Sequence, residues 1–326
     1  MTKVFSAYAT DRQIQRESSS GGMFSLLATH FIGKGGVVFG AAFDEHFNVC
    51  HVGVSTMTDL RSLRGSKYVQ SRLCDTFKEI HDLLAKGTPV MFCGTPCQVK
   101  GLNAFIGKEL SDKLVTMDFA CHGVPSPKVW EKYKGSAGLK EVSFRNKRFG
   151  WKTYSLKLVY GNGKQLSTVF THNRYMQAFI RNFSLRPSCY HCTAKGIERV
   201  ADITLADFWG ASRISPQMNH WMGVSLLFVH SDKGMRTLDA IPKDEYVINV
   251  ESVNGVTRMN PSLMQSPSIP ACRKAFFEQL GGNFSFDELY REYVRKGIMD
   301  DVKSWTKTTV KIGLSFLNKF GIKTVY

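Results

Sequence analysis

The chain has 326 residues, is 43% hydrophobic and carries 43 lysines and arginines against 27 aspartates and glutamates, a formal net charge of +16. That hydrophobic content supports a sizeable core and excludes wholesale disorder, and no run of about 18 uncharged apolar residues offers a membrane-spanning helix. The opening MTKVFSAYATDRQIQRESSS has no apolar signal-peptide core, so a cytoplasmic location is expected, where eight cysteines are better suited to metal or redox work than to disulfides.

In chain order, Ser18-Ser19-Ser20-Gly21-Gly22 precedes Met23 to Ile32 and reads as a capped helix ending at Gly33. Such a start presents backbone N–H groups to a phosphate, although an ordinary N-cap has the same appearance. Val37 to Phe43 predicts a strand with Asn48 to Ser55 as its hairpin partner, and Leu73 to Ala85 an amphipathic helix closed by Gly87. Pro89 to Gly94 predicts a buried strand running into Thr95-Pro96-Cys97-Gln98 and a helix to Ile106. Leu114 to Phe119 predicts another, ending at Cys121-His122-Gly123. Trp151 to Tyr160 and Lys164 to Phe170 predict a hairpin around Gly161-Asn162-Gly163. A helix over Asn173 to Phe183 leads to Cys189-x-x-Cys192, and strands follow at Ala201 to Gly210, Val224 to Val229 and Tyr246 to Val250. Alternating strands and helices give a mixed α/β fold with an α/β core, strand-end cysteine loops, a β-hairpin insertion and a helical C-terminus. Ligands of such cores gather at the carboxyl ends of strands, where Cys97 and Cys121 fall.

Three readings compete for Cys97, Cys121, Cys189 and Cys192. Four thiolates suit a [4Fe–4S] cluster. Structural zinc also takes four cysteines, but usually as two Cys-x-x-Cys pairs from one compact knuckle. Ordinary buried thiols are the third reading; it suits Cys50, Cys74 and Cys272, and suits the polar loop around Cys189 and Cys192 poorly. Cys93 is read as a core residue near the site, with ligation as its alternative. The lysines and arginines are dispersed and no nucleic-acid motif is present, so nucleic acid is not the expected partner; a pyrophosphate cofactor, an acidic electron carrier or an anionic membrane fits the charge as well.

The segments SSSGGMFSLL, GSKYVQS, FCGTPCQVKGL, DFACHGVPSPKVW, FRNKRFGW, LRPSCYHC and RVADITLADFWG together carry a family likeness. The chain resembles the β-subunit family of coenzyme F420 hydrogenases and dehydrogenases, over about residues 18 to 210. The resemblance implies a flavin, FAD before FMN, and a [4Fe–4S] cluster held by Cys97, Cys121, Cys189 and Cys192. It assigns Ser19, Ser20, Gly21 and Gly22, with Gly65, Ser66, Lys67 and Tyr68, to the flavin. His122 and Asp207 are the candidate catalytic residues; a structural histidine and ordinary strand-end packing are the plainer alternatives. Many bacterial relatives begin with a ferredoxin module. This sequence starts at the flavin region, so its electrons are expected from ferredoxin or an iron–sulfur partner subunit.

The expected organisation is a flavin-contacting region over 1–88, a cluster-bearing catalytic region over 89–270 and a helical region over 271–326. The expected function is an oxidoreductase passing electrons to a small-molecule hydride acceptor, F420-like or otherwise unsaturated. Bacterial members of the family also occur beside polysaccharide-synthesis genes. The alternative is a non-catalytic binding or adaptor protein on the same scaffold. In the tail, Lys303, Lys307 and Lys311 share one helix face, with Trp305, Ile312, Phe316 and Phe320 near another. A docked helix is expected, and a peripheral contact with anionic membrane or a partner is the alternative.

Overall fold

Short β-branched and aromatic runs bounded by glycine and polar turns form the strands. They are β1 (Lys3–Ala9), β2 (Val37–Phe43), β3 (Val49–Val54), β4 (Val90–Cys93), β5 (Leu114–Phe119), β6 (Leu139–Asn146), β7 (Ser155–Tyr160), β8 (Gln165–Val169), β9 (Ile203–Asp207), β10 (Ser225–Val229) and β11 (Tyr246–Val250). The computed structural model describes residues 2–136, 138–295 and 298–319, except for the side chains of 298–305 and 318. The fold is mixed α/β. An eight-stranded sheet has the order β11-β1-β10-β9-β5-β4-β2-β3, and β6, β7 and β8 form a second sheet.

Strands β2, β4, β5 and β9 are parallel; antiparallel strands flank them on both sides. The parallel strands are covered on both faces, as their continuous apolar sequences require. Met91 and Met117 face the helix Met23–Gly33 and its buried Leu26 and Leu27. Val90 and Phe92 face Ile80 and Leu84 of the helix Thr76–Ala85, and Val99 and Leu102 of the helix Pro96–Ile106. The small sheet has its own core, in which Phe144, Leu156 and Leu158 pack with Trp130, Tyr175 and Phe276.

Residue 88 lies between β3 and β4, and the main sheet takes strands from both sides of it. Two strands lie where no element was expected. Strand β1 comes from the polar-looking N-terminus and lies between β10 and β11. Strand β6 pairs with β7, with a register shift between Ser143 and Asn146. A bulge re-aims side chains, and here the consecutive residues Phe144 and Arg145 are both buried.

The C-terminal helix Ile298–Lys319 docks by a polar side. Thr308 meets the Thr171 hydroxyl at 3.0 Å, and Ser315 donates to Phe149 O at 2.7 Å. Phe316, expected with the apolar side, is 59% exposed. Phe320 and the side chains of Lys303 and Trp305 lie outside the described residues. Among those described, no helix is long and apolar enough to cross a membrane.

Candidate functional site

The carboxyl ends of the parallel strands converge, and the turns leaving them build one site. After β4, Thr95 caps the helix Pro96–Ile106 with a capping box to Gln98, which puts Cys97 in the first helical turn. After β5 comes Cys121-His122-Gly123. The tight turn Pro187–His191 carries Cys189 and is followed by Cys192. Gly123 allows the last two loops to meet: a side chain there would sit 3.0 Å from Leu185 Cδ1 and 3.3 Å from Cys189 Cβ.

The four cysteines predicted as ligands are electrostatic neighbours. Burial pushes the Cys121 thiol up to about 12, with smaller upward contributions from Cys189 and Cys97. Burial likewise raises Cys189, with Cys97 and Cys192 adding to it. Grouped thiols that each oppose ionisation of the next are relieved by metal cations, which deprotonate such ligands outright. The Lys195 ammonium stands beside the group, donating to Cys121 O and, at 2.8 Å, to Ser262 O. Among the described residues, no group of three or more His, Cys, Asp or Glu is arranged to hold a metal ion. Cys93 has other company: burial raises it to about 12, and its charged neighbours are Asp118 and Lys67.

A cavity of about 590 Å³ opens beside this group, within the range of cofactor sites. Both predicted flavin segments line it, through Ser19, Ser20 and Gly22 and through Gly65, Ser66, Lys67 and Tyr68, and Cys121 and His122 line it too. The two segments are tied together directly: Ser19 Oγ accepts from Ser66 N at 2.6 Å and from Ser66 Oγ at 2.8 Å. Gly21 stands behind the wall. A Cβ there would lie 2.5 Å from Ala7 O and 2.7 Å from Ser225 N, so this glycine lets the turn pack against the main sheet.

Two cations from the end of the small sheet hold that turn, and the sequence reading did not single them out. Lys147 Nζ donates to Gln15 O (2.7 Å), Ser20 O (2.6 Å) and Met222 O (2.6 Å). Arg145 donates to Ser19 O at 3.2 Å, to Tyr68 Oη at 3.2 Å and to Asp207 Oδ2 at 3.1 Å. The carbonyls of Ser19 and Ser20 therefore point back at these two donors; burial pushes the Lys147 pKa well below the usual lysine range, and its three carbonyl acceptors oppose that by favouring the ammonium. Gly22, Met23, Phe24 and Ser25, at the start of the helix Met23–Gly33, line the cavity, and the first-turn N–H groups of a helix have no intrahelical acceptor. A helix start of this kind suits an anion. The available sequence signal was the motif FRNKRFGW, whose charges looked like part of the general basicity.

The two predicted catalytic residues have other attachments. Asp207 accepts from Arg145 on one oxygen and from Trp151 Nε1, at 3.3 Å, on the other. His122 Nε2 pairs with Asn182 Oδ1 at 2.7 Å, and the Asn182 amide nitrogen is itself committed to Ser268 O at 3.1 Å. His122 is thus the donor, and burial lowers its pKa. His51, another wall residue, is 7% exposed and pairs with Cys93 O at 3.2 Å. Burial lowers its pKa to about 4.

The unfolded chain therefore binds a proton at His51 below about pH 6.5 that the folded chain refuses until about pH 4. Stability from this group is present at neutral pH and lost as pH falls through that window. His230 is lowered to about 4 as well and contributes in the same window, so His51→Phe should reduce the stability lost between pH 7 and pH 5 in urea unfolding by roughly 1–2 kcal/mol, not abolish it. An equal acid slope in both proteins would refute the assignment.

The family model for the C terminus of the coenzyme F420 hydrogenase/dehydrogenase beta subunit matches residues 87–254. The corresponding N-terminal model matches residues 4–78. Among solved structures, the chain is similar to one in the F420-reducing [NiFe] hydrogenase complex from Methanosarcina barkeri, studied there by xenon derivatization. The TM-score is 0.56 at 16% identity, over 85% of this chain and 91% of that one; at that identity the likeness is one of fold. A search of curated proteins finds no match.

Proposed function

The chain belongs to the coenzyme F420 hydrogenase/dehydrogenase β-subunit family, and on that basis we propose that it is a flavin- and [4Fe–4S]-dependent member of this oxidoreductase group. One observation carries the proposal: a single cavity runs from the Ser19–Ser66 junction to Cys121, whose electrostatic neighbours include Cys97 and Cys189, with Cys192 in turn beside Cys189. In this reading Cys97, Cys121, Cys189 and Cys192 hold the cluster. The segments 19–22 and 65–68 hold FAD, its phosphates towards the start of the helix Met23–Gly33. A flavin joins two-electron hydride chemistry to one-electron carriers.

The chain's own residues do the rest. Lys147 and Arg145 fix the turn. Asp207, held by Arg145 and Trp151, keeps the guanidinium in place rather than exchanging protons. Ferredoxin or an iron–sulfur partner subunit is the proposed donor, to which a net charge of +16 suits an acidic surface. The proposed acceptor is an F420-like or other unsaturated small molecule, with polysaccharide assembly as the proposed setting.

Anaerobic purification followed by iron, sulfide and flavin assays tests this reading. About four irons and four sulfides with one FAD per chain are expected. Stoichiometric zinc without sulfide, together with no bound or bindable flavin, would overturn it.

A further inference from the structure

Reduction of a double bond by hydride needs a proton at the other end of that bond, and the cavity wall must supply it. Most of the ionisable groups there are committed or mismatched. Asp207 is taken by Arg145 and Trp151. Arg145 stays charged, its pKa raised further by Asp207 against the opposing effect of burial. His122 donates its Nε2–H to Asn182 Oδ1, and His51 is neutral at pH 7, its pKa lowered to about 4 by burial. Cys93 is pushed up to about 12, and Tyr154 is also raised by burial.

Lys67 is different. It lines the cavity, half-buried, at the Gly65 turn. Its ammonium donates to Ser62 O at 2.7 Å and Arg64 O at 2.9 Å. These two carbonyls use two of its three N–H bonds. Its charged and titratable neighbours are Cys93 on β4 and His51 on β3. Burial brings its pKa down to about 7, against a small opposing effect of Cys93. Lys67 thus lines the cavity with its amine anchored on two backbone carbonyls of the adjoining turn.

We propose that Lys67 is the catalytic proton donor of the cavity, a role that rests on the flavin reading above. Bound reduced flavin would supply the hydride to one end of the substrate's double bond and would itself be oxidised. The other end takes a proton from the Lys67 ammonium. The neutral amine left behind regains a proton from water at the cavity mouth. In the reverse direction the same amine accepts the proton.

Two measurements test this. In the first, the purified chain is treated with acetic anhydride across pH 6 to 9, with and without FAD, and acetylation is read by mass spectrometry. Lys67 should be modified half-maximally near pH 7 and should be protected by FAD, while surface lysines need a far higher pH. A Lys67 profile matching the surface lysines overturns the proposal. In the second, FAD content is confirmed for wild type, Lys67→Met and Lys67→Arg, and oxidation of the dithionite-reduced protein by a 5-deazaflavin is followed against pH. Wild type should slow about tenfold per pH unit above the Lys67 transition. Lys67→Met and Lys67→Arg should be slower by roughly 10²–10⁴-fold and flat across the same range. A flavin-loaded Lys67→Met within threefold of wild type overturns the proposal alone. A wild-type chain that takes up no flavin overturns the reading beneath it.

Discussion

If the proposed cluster is present, Cys189→Ser protein purified without oxygen should contain less than about one iron where the wild type should hold about four, and should bind flavin as the wild type does. Cys189 occupies a central place among the thiols, with both Cys97 and Cys192 as electrostatic neighbours. Its Cβ packs where Gly123 leaves room, so its loop sits directly on the Cys121 loop. Serine keeps the size but gives a weaker, harder ligand for iron. Flavin should survive because Cys121 is the member of the four that reaches the cavity wall. Cys93→Ser and Cys272→Ser are the informative controls. Cys93 answers to Asp118 and Lys67, and Cys272 is exposed at the start of the helix Arg273–Leu280, so both should retain iron. Full iron in Cys189→Ser, or loss of iron in Cys93→Ser, would show that the ligand set is wrong.

The other large effect is expected at Lys147. Methionine there fills a similar volume but removes all three donors, leaving Gln15 O, Ser20 O and Met222 O without the cation that holds them. A buried acceptor left unpaired costs about 1–3 kcal/mol, and release of a buried charge offsets part of the total. A net loss of roughly 2–4 kcal/mol is expected in urea unfolding, with flavin content reduced to a small fraction. The flavin effect follows from geometry: the Ser20 carbonyl would be free to turn toward the cavity and oppose a phosphate. Lys157→Met, which removes only the surface pair with Glu141, should change neither property appreciably. An unchanged midpoint and full flavin in Lys147→Met would mean that the clamp has no part in the site.

Much of the site was legible because its parts are local. A buried apolar run followed by Thr-Pro-Cys-Gln forms β4, a capping box and a helix start within a few residues, so Cys97 could be set at a strand end without knowing the neighbours of that strand. The same holds for β5 and Cys121, whose predicted bounds of Leu114 to Phe119 match the observed strand. The hairpin around Gly161-Asn162-Gly163 was readable for the same reason, although its strands proved shorter than expected.

What the sequence by itself determined, then, is the mixed α/β class, the strand-end cysteines and two polar turns suited to a cofactor, because each is encoded by spacing within one strand–turn–helix unit. Only the tertiary structure decided that those turns join through Ser19 and Ser66, and that the charged neighbours of Cys93 are Asp118 and Lys67. It also decided that Lys147 and Arg145 differ from the rest of the basic residues. A lysine is defined by its partners, and those of Lys147 are carbonyls at positions 15, 20 and 222, brought together by the packing of β1 between β10 and β11. No local pattern records that convergence, since backbone carbonyls carry no sequence identity and the burial that distinguishes these cations exists only once the sheets have closed around them.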